Sequence, residues 1–372
     1  MKIVSVVGAR PNFVKIAPLL AEMRRHADVC PYLVNTGQHY DANMADQFFQ
    51  DLHIPTPDIS LEVGSGSHAR QTAEVMCRLE PVLERLRPDA VLVVGDVNST
   101  LAAALTAAKL GIKVAHVEAG LRSFDRSMPE EVNRLLTDAI SDYLFLTEDR
   151  ARENLLREGI AEGKIFFVGN VMIDSLERSR SRWESSRVLT RFGLTKGAYG
   201  VVTLHRPSNV DDPDALGAVL GALSEIAGRL PLVFPCHPRT RARITQLNGS
   251  LSHLKLGRGM AEACGIRYVD PLGYLDFMAL TASARVVLTD SGGLQEETAV
   301  LGVPCLTLRE NTERPITVAC GTNRVIGTSP VRIVDETRQV LESPVATPAR
   351  PPLWDGHTSE RIVAILRDRL RR

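Results

Sequence analysis

The sequence predicts an α/β protein built from two Rossmann-like, doubly wound domains, and three observations support this fold class. Short apolar runs of strand length alternate with helix-length stretches, which is the pattern of right-handed βαβ units and a parallel sheet. The same alternation starts again near residue 200. The chain has 372 residues, which exceeds the size at which a single hydrophobic core stops growing, so about two domains are expected.

The predicted strands are apolar runs that end on glycine or on a polar residue. In the first half they are Ile3–Gly8, Tyr32–Thr36, Ala90–Gly95, Val114–Val117, Tyr143–Thr147 and Ile165–Val168. In the second half they are Gly200–Leu204, Leu232–Pro235, Ile266–Val269, Val286–Thr289 and Pro304–Leu308. Because helix-length stretches separate these runs, each half is expected to form its own parallel sheet.

Two segments interrupt this pattern. The first, Leu176–Gly197, is rich in arginine and serine, and we interpret it as a solvated helix and domain boundary rather than as a nucleic-acid patch. The second, Glu342–Gly356, contains four prolines and is a predicted linker. It leads to a last helix near Thr358–Leu370 with an apolar stripe.

Composition excludes several classes of protein. The 44 basic and 44 acidic residues give a net charge of zero, so there is no electrostatic reason to expect binding to nucleic acid or to an anionic membrane. No apolar run approaches the roughly 20 residues that span a bilayer. The six cysteines are widely spaced, which indicates reduced thiols in a cytoplasmic protein.

Three acidic sites lie at or soon after the ends of predicted strands. Asp96 follows Ala90–Gly95, Glu118 follows the next strand, and Glu130 and Glu131 come shortly afterwards. Ligands of open parallel sheets bind outside the carboxyl ends of the strands, so we expect these acids to reach one site. The alternative is that each carboxylate only caps the helix after its strand.

A first candidate for anion binding lies at Gly8–Lys15, between the first strand and the first helix. The free amides of a helix N-terminus suit an anion, and Arg10 and Lys15 can both reach a phosphate placed there. The glycine spacing is neither the dinucleotide fingerprint nor a P-loop, which argues against a dinucleotide cofactor and against ATP chemistry.

A second candidate follows the strand Val286–Thr289. Ser291, Gly292 and Gly293 form a small loop at a helix start, where backbone amides can approach a diphosphate. Glu296 or Glu297, one turn into that helix, can accept hydrogen bonds from two ribose hydroxyls. The alternative is a plain glycine turn with a charged first helical turn.

Three histidines are candidate site residues. His205 and His237 follow predicted strands, where a lone histidine is more often structural, but Arg206 makes an anionic ligand at His205 plausible. His116 lies inside a strand and is interpreted as a core histidine. Because no second histidine stands at ligand spacing beside the acids, no metal site is predicted.

A diphosphate held beside carboxylates suggests chemistry at the sugar carbon that bears it. Cleavage of the C1–O bond leaves an oxocarbenium-like centre that carboxylates can stabilise. That cation makes the neighbouring C2–H more acidic, so a carboxylate can take this proton.

At these residues the chain resembles the non-hydrolysing UDP-N-acetylglucosamine 2-epimerases, over essentially its whole length. The shared motifs are Gly8-x-Arg10-Pro11-x-x-x-Lys15, Gly95-Asp96, His116-Val-Glu118-Ala-Gly-Leu-Arg122, Pro129-Glu130-Glu131-x-Asn133-Arg134, Asp290-Ser-Gly-Gly-x-Gln-Glu-Glu297 and Thr312-Glu313-Arg314-Pro315. The resemblance implies a glycosyltransferase-B fold, with two Rossmann-like domains facing a central cleft. The expected domains are residues 1–170, joined by the C-terminal helix 357–372, and a UDP-binding domain at residues 171–356.

The resemblance also implies the reaction. UDP is eliminated to give a 2-acetamidoglucal and is then added back with a proton on the opposite face of C2, without a metal or other cofactor. The implied catalytic residues are Asp96, Glu118, Glu130 and His205. The implied substrate-binding and UDP-binding residues are Arg10, Lys15, Arg122, His205, Leu272, Phe277, Ser291, Gly292, Gly293, Glu297 and Arg314. A UDP-sugar is the implied partner, and a homodimer the implied assembly.

Several motif positions depart from the bacterial pattern, namely those at residues 38–41, 205–209 and 237–240 and at Ile316. They resemble positions that line a second, activating substrate site, so we expect weak or absent activation by UDP-N-acetylglucosamine. They also look like those of relatives that act on UDP-2,3-diacetamido-glucuronic acid, so this sugar nucleotide stays open as the substrate. Two further functions stay open, namely a hydrolysing 2-epimerase and a glycosyltransferase of the same fold.

Overall fold

A computed structural model describes residues 1–37, 48–247, 261–263, 265–344 and 349–371, apart from the side chains of residues 10 and 261–263. The chain divides into two compact units. The first comprises Met1–Ser179 and Pro352–Arg372, and the second comprises Arg180–Pro351.

The sheet of the first unit is parallel throughout its described part. Its strands are β1 (Lys2–Val7), β2 (Cys30–Asn35), β3 (Ile59–Ser60), β4 (Ala90–Val94), β5 (Lys113–Val117), β6 (Tyr143–Leu146) and β7 (Ile165–Phe167). They lie in the order β3-β2-β1-β4-β5-β6-β7, so the first six have the order of a dinucleotide-binding sheet. All five residues of β4 are buried, as expected for a strand covered on both faces.

The helices of the first unit pack on both sides of this sheet. They are α1 (Arg10–Met23), α2 (His68–Leu86), α3 (Asn98–Lys109), α4 (Pro129–Ile140), α5 (Ala151–Arg157), α6 (Val171–Arg178) and α16 (Thr358–Arg369). The helix α2 starts at the N-cap Ser67 and buries Val75, Leu79 and Leu83, which recur at helical spacing and form its apolar face.

The C-terminal helix α16 belongs to the first unit. Its first two described amides, those of Thr358 and Ser359, donate to the carboxylate of Asp174 on α6 at 3.1 and 2.7 Å. The predicted boundary at residue 170 falls before α6, whereas the first unit continues to Ser179. The reason is that α6 packs against α1 and holds the start of α16.

The six described parallel strands of the second unit repeat the order of the first six strands of the first unit, and one antiparallel strand is added at the edge. The strands of the second unit are β8 (Gly200–Thr203), β9 (Leu232–Pro235), β10 (Ala261–Ala263), β11 (Ile266–Val269), β12 (Val286–Thr289), β13 (Cys305–Thr307) and β14 (Asn323–Val325). Their order is β10-β11-β9-β8-β12-β13-β14. Only the short edge strand β10 is antiparallel to its neighbour in the described sheet.

The second unit begins with short helices, and longer helices follow. The helices of this unit are α7 (Arg180–Glu184), α8 (Val188–Arg191), α9 (Pro207–Val210), α10 (Pro213–Ala227), α11 (Pro238–Leu247), α12 (Tyr274–Ala282), α13 (Gly292–Leu301), α14 (Ile316–Ala319) and α15 (Pro330–Glu342). The apolar face of α10, with Leu216, Leu220 and Leu223, packs into a core that also contains Ile333 of α15. No helix in the described ranges has the length and apolar character needed to cross a membrane.

Candidate functional site

Both sheets have a point where the strand order reverses, and ligands of such sheets bind there, outside the carboxyl ends of the strands. In the first unit this point lies between β1 and β4, whose ends carry Gly8 and Gly95. In the second unit it lies between β8 and β12, whose ends carry His205 and Asp290. The predicted site residues Asp96, His205 and Ser291–Gly293 therefore follow strands that flank a switch point.

Asp96 and Glu118 lie at the ends of the neighbouring strands β4 and β5. The Oδ2 atom of Asp96 lies 2.5 Å from Nη1 of Arg134, and 22% of the Asp96 side chain is exposed. Glu118 is buried, and its Oε2 lies 2.5 Å from the Nζ atom of Lys15. Glu118 also has a φ of +76°, a left-handed conformation that is strained for a residue with a Cβ and that clusters at functional sites.

The two glutamates at the start of α4 have different surroundings. Glu131 is 1% exposed and accepts hydrogen bonds from the backbone amides of Ser123 and Phe124 at 2.9 Å. Its Oε2 also lies 2.5 Å from Nη2 of Arg134. Burial raises the pKa of Glu131, but these amides and Arg134 outweigh burial, and the net pKa is lowered. The hydrogen bonds of the Glu131 carboxylate thus stabilise the turn at Ser123.

Glu130 is half-buried and has a free carboxylate with respect to the described side chains and amides. None of these described groups bonds the Glu130 carboxylate, whereas the Glu131 carboxylate beside it has several partners. This contrast agrees with the choice of Glu130 over Glu131 as the third site carboxylate, which strand periodicity alone left open.

Lys15 lies beside Glu118 rather than at the exposed start of α1. Its side chain is 6% exposed, and a Cβ placed on Gly95 would lie 2.9 Å from its Nζ atom. Glycine is therefore required at position 95, where φ is also +68°. Arg10, the other predicted phosphate ligand of this segment, begins α1, and its side chain lies outside the described part of the chain.

Arg122 is buried, and its guanidinium pairs with two carboxylates. Its Nη2 atom lies 2.7 Å from Asp138 and 2.6 Å from Glu158, and its side chain is 1% exposed. Burial alone lowers its pKa, but the two carboxylates reverse the effect and raise it. The guanidinium is therefore a fixed cation that joins Asp138 of α4 to Glu158, the residue after α5.

His205 forms a pair with a buried aspartate. Its Nδ1 atom lies 2.7 Å from Oδ1 of Asp290, and the ring is 53% exposed. Asp290 also accepts hydrogen bonds from the backbone amide of Arg206 at 2.9 Å and from the Asn209 amide group at 3.1 Å. Burial raises the pKa of Asp290, but His205 and these donors lower it overall. The pair fixes the ring and leaves Nε2 to the solvent side.

The helix α13 begins at Gly292, and Ser291 supplies no side-chain hydrogen bond to its first amides. Such a helix start favours an anion. A Cβ on Gly292 would lie 2.8 Å from Oε1 of Glu313, so the Glu313 carboxylate would have to shift. Gly293 follows in the first turn, so all three predicted loop residues lie at this helix start.

Arginines surround this helix start. The carboxylate of Glu313 lies 2.9 Å from Nη1 of Arg309 and 3.5 Å from Nη2 of Arg206, and the Nε atom of Arg314 lies 2.8 Å from Glu296. Burial raises the pKa of Glu313, but the three arginines lower it to about 2. Three guanidinium groups face the two carboxylates of Glu313 and Glu296, and this excess of basic groups suits a diphosphate.

Glu297, the predicted ribose ligand, is enclosed in α13. Burial and the neighbouring Glu296 raise the pKa of Glu297 to about 8, although Tyr274 lowers it. Glu297 is therefore mostly protonated at neutral pH in the free protein. Glu296, the other candidate from the sequence, is paired with Arg314, so it is less available to a ribose.

Leu272 and Phe277 flank the start of α12, after β11, and both are half-buried. Pro271, next to Leu272, lines a cavity of about 420 Å³ together with Cys236 and Arg241. The second-strand motif at residues 38–41 lies outside the described residues. Within the described ranges, no three His, Cys, Asp or Glu side chains are grouped as metal ligands.

Sequence reasoning missed the contacts of Asp290, Glu313 and Arg134, which pair with the predicted residues His205, Arg314 and Asp96 respectively. Asp290 could have been found from topology, because it follows β12, which pairs with β8 in the register Thr289–Thr203. That register places it beside His205. Glu313 and Arg134 lie inside the motifs, but their contacts depend on packing that spacing does not reveal.

Known proteins resemble this chain over nearly its whole length. The family model described as UDP-N-acetylglucosamine 2-epimerase matches residues 21–367. The UDP-N-acetylglucosamine 2-epimerase of Methanocaldococcus jannaschii is 41% identical over 371 residues, which cover 98% of this chain and 99% of that protein. The UDP-2,3-diacetamido-2,3-dideoxy-D-glucuronate 2-epimerase of Pseudomonas aeruginosa is 41% identical over 345 residues, or 92% of each chain.

A solved structure gives the same result at the level of the fold. The crystal structure of the M. jannaschii enzyme in complex with UDP-GlcNAc and UDP matches with a TM-score of 0.90 at 41% identity, and the match covers 99% of this chain and 100% of that chain. The predicted glycosyltransferase-B-type fold class and the predicted family are thereby confirmed. The chain belongs to the UDP-N-acetylglucosamine 2-epimerase family, a family of isomerases.

Proposed function

We propose that the protein reversibly epimerises C2 of a UDP-2-acetamido sugar and interconverts UDP-N-acetylglucosamine and UDP-N-acetylmannosamine. The observation that carries this proposal is the buried Glu118, held at a left-handed φ with Lys15 at 2.5 Å and one strand away from Asp96. A carboxylate kept in such a strained and enclosed position is typical of a catalytic group.

In the first half of the proposed reaction, the C1–O bond breaks and its electron pair leaves with UDP. A carboxylate takes the C2 proton, and the C1=C2 double bond of the 2-acetamidoglucal forms. In the second half, UDP adds back to C1 while a proton reaches C2 from the opposite face. Asp96, Glu118 and Glu130 are the proposed proton-transfer and cation-stabilising groups.

The second unit supplies the groups that a leaving diphosphate needs. The amides at Ser291–Gly293 and the guanidinium of Arg314 are the proposed phosphate ligands, and His205 is a proposed donor at the diphosphate. Glu297 is the proposed ribose ligand, while Leu272 and Phe277 are proposed to frame the uracil. Lys15 and Arg10 are the proposed cationic contribution of the first unit.

The proposal is tested by incubating the purified chain with UDP-N-acetylglucosamine and following the anomeric protons by NMR. The manno epimer should appear while free UDP stays at trace level, and Glu118→Gln should abolish its formation but keep UDP binding. Free UDP that rises in step with free N-acetylmannosamine would instead identify a hydrolysing enzyme. Turnover only with an added sugar acceptor would identify a glycosyltransferase.

A second substrate follows from one specific comparison. The P. aeruginosa relative named for UDP-2,3-diacetamido-2,3-dideoxy-D-glucuronate is as identical to this chain as the M. jannaschii enzyme is. The values of kcat/KM for both sugar nucleotides should therefore be measured side by side, and we expect the larger value for UDP-N-acetylglucosamine. The homodimer and the cytoplasmic location stay predictions, which sedimentation and cell fractionation can test.

A further inference from the structure

A buried histidine–aspartate pair is bonded to the turns that carry two of the candidate catalytic carboxylates. His116 on β5 and Asp138 on α4 are both 0% exposed, and the Nδ1 atom of His116 lies 2.7 Å from Oδ1 of Asp138. Burying two such groups is costly unless their hydrogen bonds are satisfied. The partners that satisfy them indicate what the pair does.

The remaining polar atom of each side chain bonds the backbone next to a candidate catalytic acid. The Nε2 atom of His116 lies 2.9 Å from the carbonyl oxygen of Gly95, the residue before Asp96. The amide of Gly120, two residues after Glu118, donates to Oδ2 of Asp138 at 3.0 Å. One His–Asp pair is thus bonded to both turns that carry the candidate catalytic acids.

Proton positions in this chain of bonds follow from the acceptors. A carbonyl oxygen can only accept, so Nε2 of His116 donates to Gly95. The remaining proton lies between Nδ1 and the Asp138 carboxylate, whose second oxygen also faces the Arg122 guanidinium at 2.7 Å. Both ring nitrogens of His116 therefore take part in the hydrogen bonds that stabilise the turns.

Both turns contain left-handed backbone, and at Glu118 that conformation is strained. Gly95, Glu118 and Gly120 have φ values of +68°, +76° and +77°. Left-handed backbone at a glutamate persists only when the surrounding structure fixes it. The pair supplies side-chain bonds to the residues beside Asp96 and Glu118, but it contacts neither carboxylate in the described hydrogen bonds.

We propose that His116 and Asp138 are positioning residues that hold the turns of Asp96 and Glu118 at the distance that proton transfer at C2 requires. This inference rests on the proposed function. A general base works within a hydrogen-bond distance of roughly 2.6–3.2 Å, and a misplacement of about 1 Å can cost about 100-fold in rate. Loss of the pair should therefore lower kcat rather than affinity.

Two substitutions of His116 separate positioning from packing. In His116→Gln, the side-chain amide can reach the place of Nε2 and donate to the Gly95 carbonyl. In His116→Asn, the shorter amide can reach only the place of Nδ1 beside Asp138. We expect His116→Gln to keep kcat within about fivefold of wild type and His116→Asn to lose about 100-fold, with the Kd for UDP within about threefold in both.

Two control variants distinguish the loss of positioning from a general destabilisation of the fold. Thr106→Val removes a buried hydroxyl on α3 that bonds only the Ala102 carbonyl in the described network, and it should lower Tm without lowering kcat. Asp138→Asn keeps the side-chain shape, should show the same loss of kcat with retained UDP binding, and replaces His116→Asn if the latter does not fold.

The result that would overturn the inference is equal kcat for His116→Asn and His116→Gln, or a parallel loss of UDP affinity and kcat. The C2–H exchange rate in deuterated water is measured for wild type in the same series. A wild-type chain without exchange would contradict the proposed function. An active wild type with a fully active His116→Asn variant would contradict only the positioning role.

Discussion

The structure predicts opposite consequences for replacing the two adjacent glutamates Glu130 and Glu131. Glu131→Gln keeps the shape of a buried carboxylate but puts an amide group where one oxygen accepts a hydrogen bond. Its two oxygens accept from Ser123, Phe124 and Arg134, and a glutamine retains only one acceptor oxygen. Glu130→Gln changes a half-buried group that bonds none of the described residues.

The expected size of the Glu131→Gln effect follows from these contacts. One hydrogen bond from a backbone amide to a charged group is lost, at about 2 kcal/mol, and the charge beside the buried Arg134 is lost as well. Because Arg134 keeps its bond to Asp96 at 2.5 Å, the total should stay near about 3 kcal/mol rather than at the upper limit for a broken buried ion pair. Glu130→Gln should cost less than about 1 kcal/mol.

The assay combines urea unfolding with hydrogen exchange at the Ser123 and Phe124 amides, and NMR measurement of turnover. Glu131→Gln should shift the unfolding of the first unit and speed exchange at these amides, whereas Glu130→Gln should abolish turnover with stability unchanged. Equal stability of both variants, or an active Glu130→Gln variant, would refute the reasoning that assigns structure to one glutamate and chemistry to the other.

Three further predictions concern the second unit. A Glu297 that binds ribose must be ionised, and its pKa in the free protein is raised to about 8. The UDP affinity measured by calorimetry should therefore rise about tenfold per pH unit up to pH 8 and then stay constant. A Glu297→Gln variant with the same pH dependence would contradict this prediction. Gly292→Ala puts a Cβ 2.8 Å from Glu313 and should weaken UDP binding at least about tenfold. In the matched control Gly217→Ala, the new Cβ meets nothing within 4 Å. This control should leave UDP binding unchanged and stabilise the folded protein by about 0.5–1 kcal/mol. Asp290→Asn should lower kcat more than UDP affinity, because it weakens the bond that orients His205; an unchanged kcat would show that the ring needs no partner.

Much of the fold could be predicted from local sequence because the strands of both sheets are continuous apolar runs. The strands Leu232–Pro235, Ile266–Val269 and Val286–Thr289 have the predicted bounds. The edge strands β3, β10 and β14 were missed, since two or three residues at a sheet edge carry little apolar signal. The antiparallel direction of β10 depends on its pairing with β11, which a local pattern does not contain.

The site could be predicted less completely, because sequence motifs do not show which polar groups bind ligand and which bind each other. Arg122 and Arg134 both stand in motifs, but each is buried against carboxylates. Lys15 is predicted at a phosphate and lies beside Glu118. The contacts of the two arginines involve helix α4, whose residues 131, 134 and 138 recur at helical spacing.

The central claim, proton exchange at C2 during epimerisation, is tested most directly by incubating the enzyme with UDP-N-acetylglucosamine in deuterated water. We predict that the manno product carries deuterium at C2, with Asp96→Asn and Glu118→Gln giving neither exchange nor product. A manno product that retains protium at C2 would contradict this claim.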